Sequence, residues 1–228
     1  MSRAAGILMP ITSLPGKYGI GCFSKEAYAF IDWLKEAGQT YWQILPIHPT
    51  SYGDSPYQSF STFAGNPYFI DLEELIEEGM LTREECDSMD FGDDEDDIDY
   101  EDQYQNRYIL LTMAYERSNI SQNPDYQRFV EENRWWLDDY ALFMALKTFF
   151  NGQCWNEWPQ DIRLRWGYSM DYYRRELYFD IEFQMFLQFY FFRQYWRLKA
   201  YANENHIKII GDIPIYVAMD SADTWAHP

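Results

Sequence analysis

Positive charge is what this chain has least of. Lys and Arg number 18 against 37 Asp and Glu, a net charge of −19. A surface of that sign repels phosphate backbones and anionic headgroups, and no basic stripe interrupts it, so nucleic acid and anionic membrane are excluded as expected partners. Cysteine is sparse too. Cys22, Cys86 and Cys154 are odd in number, far apart and without metal-ligand spacing, which reads as reduced thiols rather than a disulfide framework. Long apolar runs are missing. The most hydrophobic stretch, Phe183 to Phe192, contains Gln184 and Gln188 and falls well short of the ~20 residues a membrane span needs. The opening Ala4 to Met9 is broken by Pro10 and preceded only by Arg3, so it reads as a strand rather than a signal peptide. A soluble, cytoplasmic protein is expected, with no internal repeat and no low-complexity linker.

Aromatic residues are what the chain has in excess: 20 Tyr, 16 Phe and 9 Trp make up 20% of it. Flat ring faces stack on the C–H faces of sugars, and a strongly acidic surface tolerates a neutral ligand, so a carbohydrate suits both features. Trp135, Trp136, Trp155, Trp158 and Trp166 are nonetheless expected to be core rather than sugar platforms. The acidic run Asp93 to Asp97 is no calcium loop. An EF-hand needs Gly sixth and Glu twelfth, and counting from Asp93 those places hold Ile98 and Tyr104.

Taken in order, Gly6 to Thr12 reads as a strand closed by the turn Leu14-Pro15-Gly16. Ser24 caps a helix to Ala37, with Gly38 at its C′ position and Ala27, Phe30, Ile31 and Leu34 on one stripe. Tyr41 to Ile47 is a second strand. Strand, helix, strand with short links is a βαβ unit, so the strands should run parallel. Leu72, Leu75 and Ile76 mark a short helix, and Thr82 with Glu85 is a capping box. Tyr104 to Tyr115 and Asp139 to Phe150 read as further helices, and Glu176 to Asn205 as a long one. Ile207 to Ile210 is β-branched and unbroken, as a buried parallel strand would be. At an open sheet edge, Ile207, Ile209 and Ile210 would lack cover.

Two places carry chemistry. Asp212 falls where the third strand ends, the position at which barrel enzymes place reacting groups. It serves equally well as a brace for the loop that Pro214 begins, and spacing alone leaves both open. Thr50 to Tyr68 is polar and turn-rich at the end of the second strand. Tyr57 offers a ring and a hydroxyl; Ser55, Gln58 and Ser61 offer hydrogen bonds, a mixture that suits a sugar or an ordinary braced loop.

The run GDIPIYVAMDSADTWA, from Gly211 to Ala226, resembles the third-strand motif of the 4-alpha-glucanotransferases, the amylomaltases or disproportionating enzymes. GILMPITSLPG, YWQILPIHPT, DSPYQS, FAGNP, DYALFMALK and WNEWP are similar to other words of that family. The resemblance is strongest at 6–16, 41–68, 139–159 and 207–225. It implies an α/β chain forming the N-terminal part of a (β/α)8 barrel, with three parallel strands and a mostly helical insertion after the second. Residues 1–68 would carry strands one and two with the substrate loop, 69–175 the insertion, and 176–228 the returning helix, third strand and its loop. The resemblance further implies retaining transfer of α-1,4-glucan segments between maltooligosaccharides, with Ser55, Tyr57 and Asp212 binding glucan on the donor side. Asn66 and Pro67 would be structural. No cofactor or metal is implied.

The family's nucleophile is an Asp followed by His, its acid/base a Glu on a later strand, and a third carboxylate follows a His. This chain has only His48, His206 and His227, none beside an Asp, and no catalytic residue is assigned within it. The expected reading is an N-terminal portion that is inactive alone. The alternative is a complete, non-catalytic glucan-binding or interaction module.

Overall fold

Ser24 and Gly38 bracket the first helix, although the Ser24 hydroxyl donates to Glu26 Oε2 at 2.6 Å instead of accepting a capping bond from a helix amide. A computed structural model describes residues 3–51, 53–92 and 97–227, so the acidic positions 93–96 lie outside the described residues. In it α1 runs Lys25–Glu36, and Gly38 adopts the left-handed φ of +68° that closes a helix. Ala27, Ile31 and Leu34 are buried. Phe30 meets the Trp42 ring edge-on at 5.1 Å, laying the helix on the sheet.

The strands β1 (Gly6–Leu8), β2 (Tyr41–Gln43) and β3 (Lys208–Ile210) form one parallel sheet in the order β1-β2-β3. Gly6 pairs with Tyr41, and Tyr41 with Lys208. Each strand is shorter than its apolar run. The first yields to a 3-10 turn at Ile11–Ser13, and the second leaves the ladder after Ile44 N donates to Ile210 O at 3.0 Å. Only Trp42 of the central strand is fully enclosed. The expectation of a buried third strand holds for Ile207, 1% exposed, but not for Ile210, 43% exposed at the sheet's edge. Gly16 sits where a Cβ would lie 2.0 Å from Ile20 O, so the turn after the first strand admits no side chain there.

Helices α2 (Leu72–Glu77), α3 (Arg83–Asp87), α4 (Tyr100–Asp102) and α5 (Tyr108–Arg117) follow. The Thr82–Glu85 capping box forms in both directions. A π-helical turn, Gln103–Arg107, leads into α5. The sixth helix, α6, spans Pro124–Phe149, with Asn123 accepting from two backbone amides and Pro124 in the first turn. It begins well before the expected Asp139. Short α7 (Gln160–Arg163) and α8 (Gly167–Glu176) precede α9, Tyr178–Glu204, whose buried face includes Phe183, Phe186, Leu187, Tyr190, Phe191 and Leu198. The last helix, α10, is Ala222–Ala226. Among the described residues no helix is long and apolar enough to cross a membrane.

Contacts divide the chain into two units: 1–47, 66–119 and 190–213 in one, 48–65, 120–189 and 214–228 in the other. The sheet unit is packed by Phe23, Phe69 and Phe191, with ring centroids 5.1 to 6.4 Å apart. Arg107 is fully buried there and donates to Ile70 O at 2.7 Å and Gln103 Oε1 at 3.2 Å. Cys22 and Cys86 are buried, and desolvation pushes their thiols up to about 12 and about 11, leaving them protonated at neutral pH. The second unit is built on Phe143, Trp158 and Trp225, with centroids 5.5 to 6.0 Å apart. Within it Gln188 bonds both N and O of Gly65, at 2.7 and 2.9 Å.

Asp71 caps α2 by accepting from Glu73 N at 3.1 Å. Burial pushes its carboxyl up to about 6. The folded state then holds the proton more tightly than the unfolded chain. That stabilisation is complete below the ordinary carboxylate value and is lost as pH rises through about 6. Asparagine keeps the accepting oxygen without the charge. Asp71→Asn should therefore gain about 1–2 kcal/mol in urea unfolding near pH 8 and nothing near pH 4. An equal gain at both pH values would remove the buried charge as its cause.

Candidate functional site

The loop after the second strand is a closed, self-braced turn. Thr50 and Ser59 form an antiparallel bridge. Ser51 N donates to Gln58 O at 3.0 Å, and Gln58 N to Ser55 O at 3.1 Å, across a turn started by Pro56. Gly53 and Asp54 supply consecutive left-handed residues at φ +81° and +54°. Ser55 Oγ accepts from Tyr57 N at 3.3 Å. The loop thus brings Ser55 and Tyr57 onto one turn and leaves the Tyr57 side chain 49% exposed. Ser61 is a different case. It is buried, and its Oγ accepts from Phe63 N and Ala64 N at 3.1 and 3.2 Å, so it braces the loop rather than offering a ligand contact. Asn66 caps the 3-10 turn Pro67–Phe69 by accepting from Tyr68 N, the structural role expected of it.

Asp212 stands in the sheet unit, two residues beyond β3, half-buried, with Oδ1 accepting from Ile213 N at 2.8 Å. Behind it the chain turns outward. Ile213, Ile215, Tyr216, Val217 and Met219 are all exposed.

Sequence reasoning missed the device that anchors this stretch further on. The ammonium of Lys147, on α6, bonds Asp220 Oδ2 at 2.7 Å and the carbonyls of Gly152 and Gln153 at 2.5 and 3.1 Å, almost wholly out of solvent. Asp220 Oδ1 accepts from Trp155 N, and Trp155 Nε1 donates to Met219 O at 2.7 Å. Thr62 N donates to Asp223 Oδ2 at 2.8 Å, and Ala222 N to Phe60 O at 2.8 Å. His48 lies against Thr62 with its Nδ1 buried and unbonded, and desolvation lowers its affinity for a proton. The tryptophans divide. Trp136 and Trp158 are core as expected, but Trp135 and Trp166 are exposed. On α6 the buried face takes Trp136 and Leu137 and leaves Trp135 outside it.

A three-stranded parallel sheet with a helical crossover and a strand-end aspartate places the chain in the α/β class, in a form consistent with part of a (β/α)8 barrel. The sequence profile described as 4-alpha-glucanotransferase matches residues 9–228, and the chain belongs to that family. It is 51% identical to a 4-alpha-glucanotransferase of Clostridium butyricum over 96% of this chain and 45% of the relative. It is 46% identical to one of Thermus thermophilus, over 100% of this chain and 45% of the relative. The solved amylomaltase from Streptococcus agalactiae in complex with acarbose superposes with a TM-score of 0.95 at 41% identity, covering 100% of this chain and 46% of that one. The chain therefore spans about half the length of the curated relatives it matches.

Proposed function

We propose that this chain is the part of a retaining 4-alpha-glucanotransferase that holds the donor glucan, and that the nucleophile and acid/base are supplied by residues outside these 228. The supporting observation is the match across residues 9–228, which includes the strand-end Asp212. The relative from Streptococcus agalactiae was solved with acarbose bound, which fits a sugar ligand for the family's fold. In this reading the stretch 69–175 is a helical insertion between barrel strands, and the protein works in the cytoplasm.

Each residue has a physical part. An ionised Asp212 accepts sugar hydroxyl protons in charge-assisted bonds worth roughly 1.5–3 kcal/mol each. Tyr57 presents a ring face to the sugar's apolar side and a hydroxyl to its rim. Ser55 fixes the turn from which Tyr57 projects. Retention needs two carboxyl groups about 5–5.5 Å apart, one attacking the anomeric carbon and one protonating the leaving oxygen. Transfer then requires that a second glucan's 4-hydroxyl reach the glucosyl ester ahead of water.

The test joins this chain to the unmatched remainder of the Clostridium butyricum relative and supplies maltotriose. Longer and shorter glucans together are the expected products, with none from the 228 residues alone. Glucose without longer products would make it a hydrolase. Turnover by the chain alone would place the catalytic carboxylates within it.

A further inference from the structure

One cavity in the second unit is used by nothing described above. It measures about 140 Å³ and lies between the segments 61–63, 135–140 and 222–227. Its walls are aromatic. Phe63 and Trp135 meet edge to face at 4.7 Å, yet remain 44% and 66% exposed, so two large rings form a corner open to solvent. Beside the side chains of Ser61, Tyr140 and His227, it is lined by two carboxylates, Asp139 and Asp223. Each is held in place through one oxygen: Asp139 Oδ1 by Arg165 at 2.6 Å and Asp223 Oδ2 by Thr62 N at 2.8 Å. The other oxygen of each is left as an acceptor.

We propose that this corner is a second carbohydrate site, taking one glucosyl unit of an α-1,4-glucan. The inference rests on the glucan reading above but not on the loop at 50–59 or on Asp212, none of which lines the cavity. Rings inclined at 75° offer a stacking face and a wall, which suits the flat C–H face of a pyranose. Oriented carboxylate oxygens take hydroxyl protons and repel an anion. The volume is well under the roughly 300 Å³ of a drug-sized site, so one ring fits and a longer segment passes outside. The edge-to-face contact with Phe63 fixes the Trp135 ring at the cavity mouth, so its face is set before a ligand arrives. Such a site would raise the local concentration of long glucans at the chain without contributing to bond cleavage.

The test uses the full chain carrying Tyr57→Ala and labelled with 5-fluorotryptophan, whose Trp135 resonance is assigned by its loss in Trp135→Phe. Titration with maltotriose should shift that resonance saturably even though the loop is impaired. By calorimetry in the same background, Trp135→Ala should weaken binding by about tenfold, whereas Trp135→Phe, which keeps a ring, should retain most of it. A Trp135 resonance that stays still overturns the proposal. So does one that answers to tetramethylammonium and not to the sugar, since the carboxylates would then be recognising a cation. Normal glucan transfer by the joined enzyme alongside either result would leave the proposed function standing while this site falls.

Discussion

Asp220→Ala should destabilise the protein by about 3–5 kcal/mol, the range for removing one partner of a buried ion pair. Lys147 and Asp220 meet at 2.7 Å with only 6% and 17% of their side chains exposed. Without the carboxylate, Lys147 keeps its two carbonyl acceptors but not its neutralising charge, and burying an uncompensated ammonium carries most of the penalty. The same change releases Trp155 N from Asp220 Oδ1. The urea midpoint of the unit containing residues 120–189 reports the loss. Lys147→Met added to Asp220→Ala should recover much of it, since no charge is then left unpaired. A double variant as unstable as the sum of the two singles would mean that the hydrogen bonds, not the charges, hold this junction.

The second large effect lies at Asp212. In the joined enzyme, Asp212→Asn should cut turnover by on the order of ten- to a hundredfold with little change in KM. Asparagine preserves the bond to Ile213 N, so the loop should keep its shape. On the proposed reading, what it loses is the charge whose bonds to sugar hydroxyls tighten as the ring flattens toward the oxocarbenium-like state. Tyr57→Ala, by contrast, would on the same reading remove a face that stacks equally on ground and transition states, so it should raise KM and spare kcat. Unchanged turnover in the asparagine variant would make Asp212 a loop brace and nothing more.

Local signals carried the reading of the fold where they sufficed physically. The capping box at Thr82 and Glu85 spans four residues and forms wherever those residues start a helix, and α1 shows the same economy with its stripe and Gly38. The start of α6 was also written locally, in Asn123-Pro124, but the apolar Ala141 to Leu146 drew the boundary toward the buried end. Strand lengths were not legible. An apolar run from Tyr41 to Ile47 says nothing about where the ladder ends, because that depends on partners far away in the chain. Ser61 and Ser55 look alike in sequence, and both hydroxyls accept from amides of their own loop, but only the fold buries Ser61 and leaves Ser55 half-buried below the exposed Tyr57. Lys147 and Asp220 lie 73 residues apart and carry no motif between them.

The sheet register also sets a clock. Gly6 finds Tyr41 across one helix, but Tyr41 must wait for Lys208 before its other side is paired. At a synthesis rate of 5–20 residues per second, that wait lasts roughly ten to thirty seconds on the ribosome. During it, the backbone of Tyr41–Gln43 faces outward as an unfilled edge, beside aromatic helices that are already emerging. The helical stretch between β2 and β3 therefore governs how long the nascent chain is exposed to wrong pairings, and lengthening it lengthens the hazard.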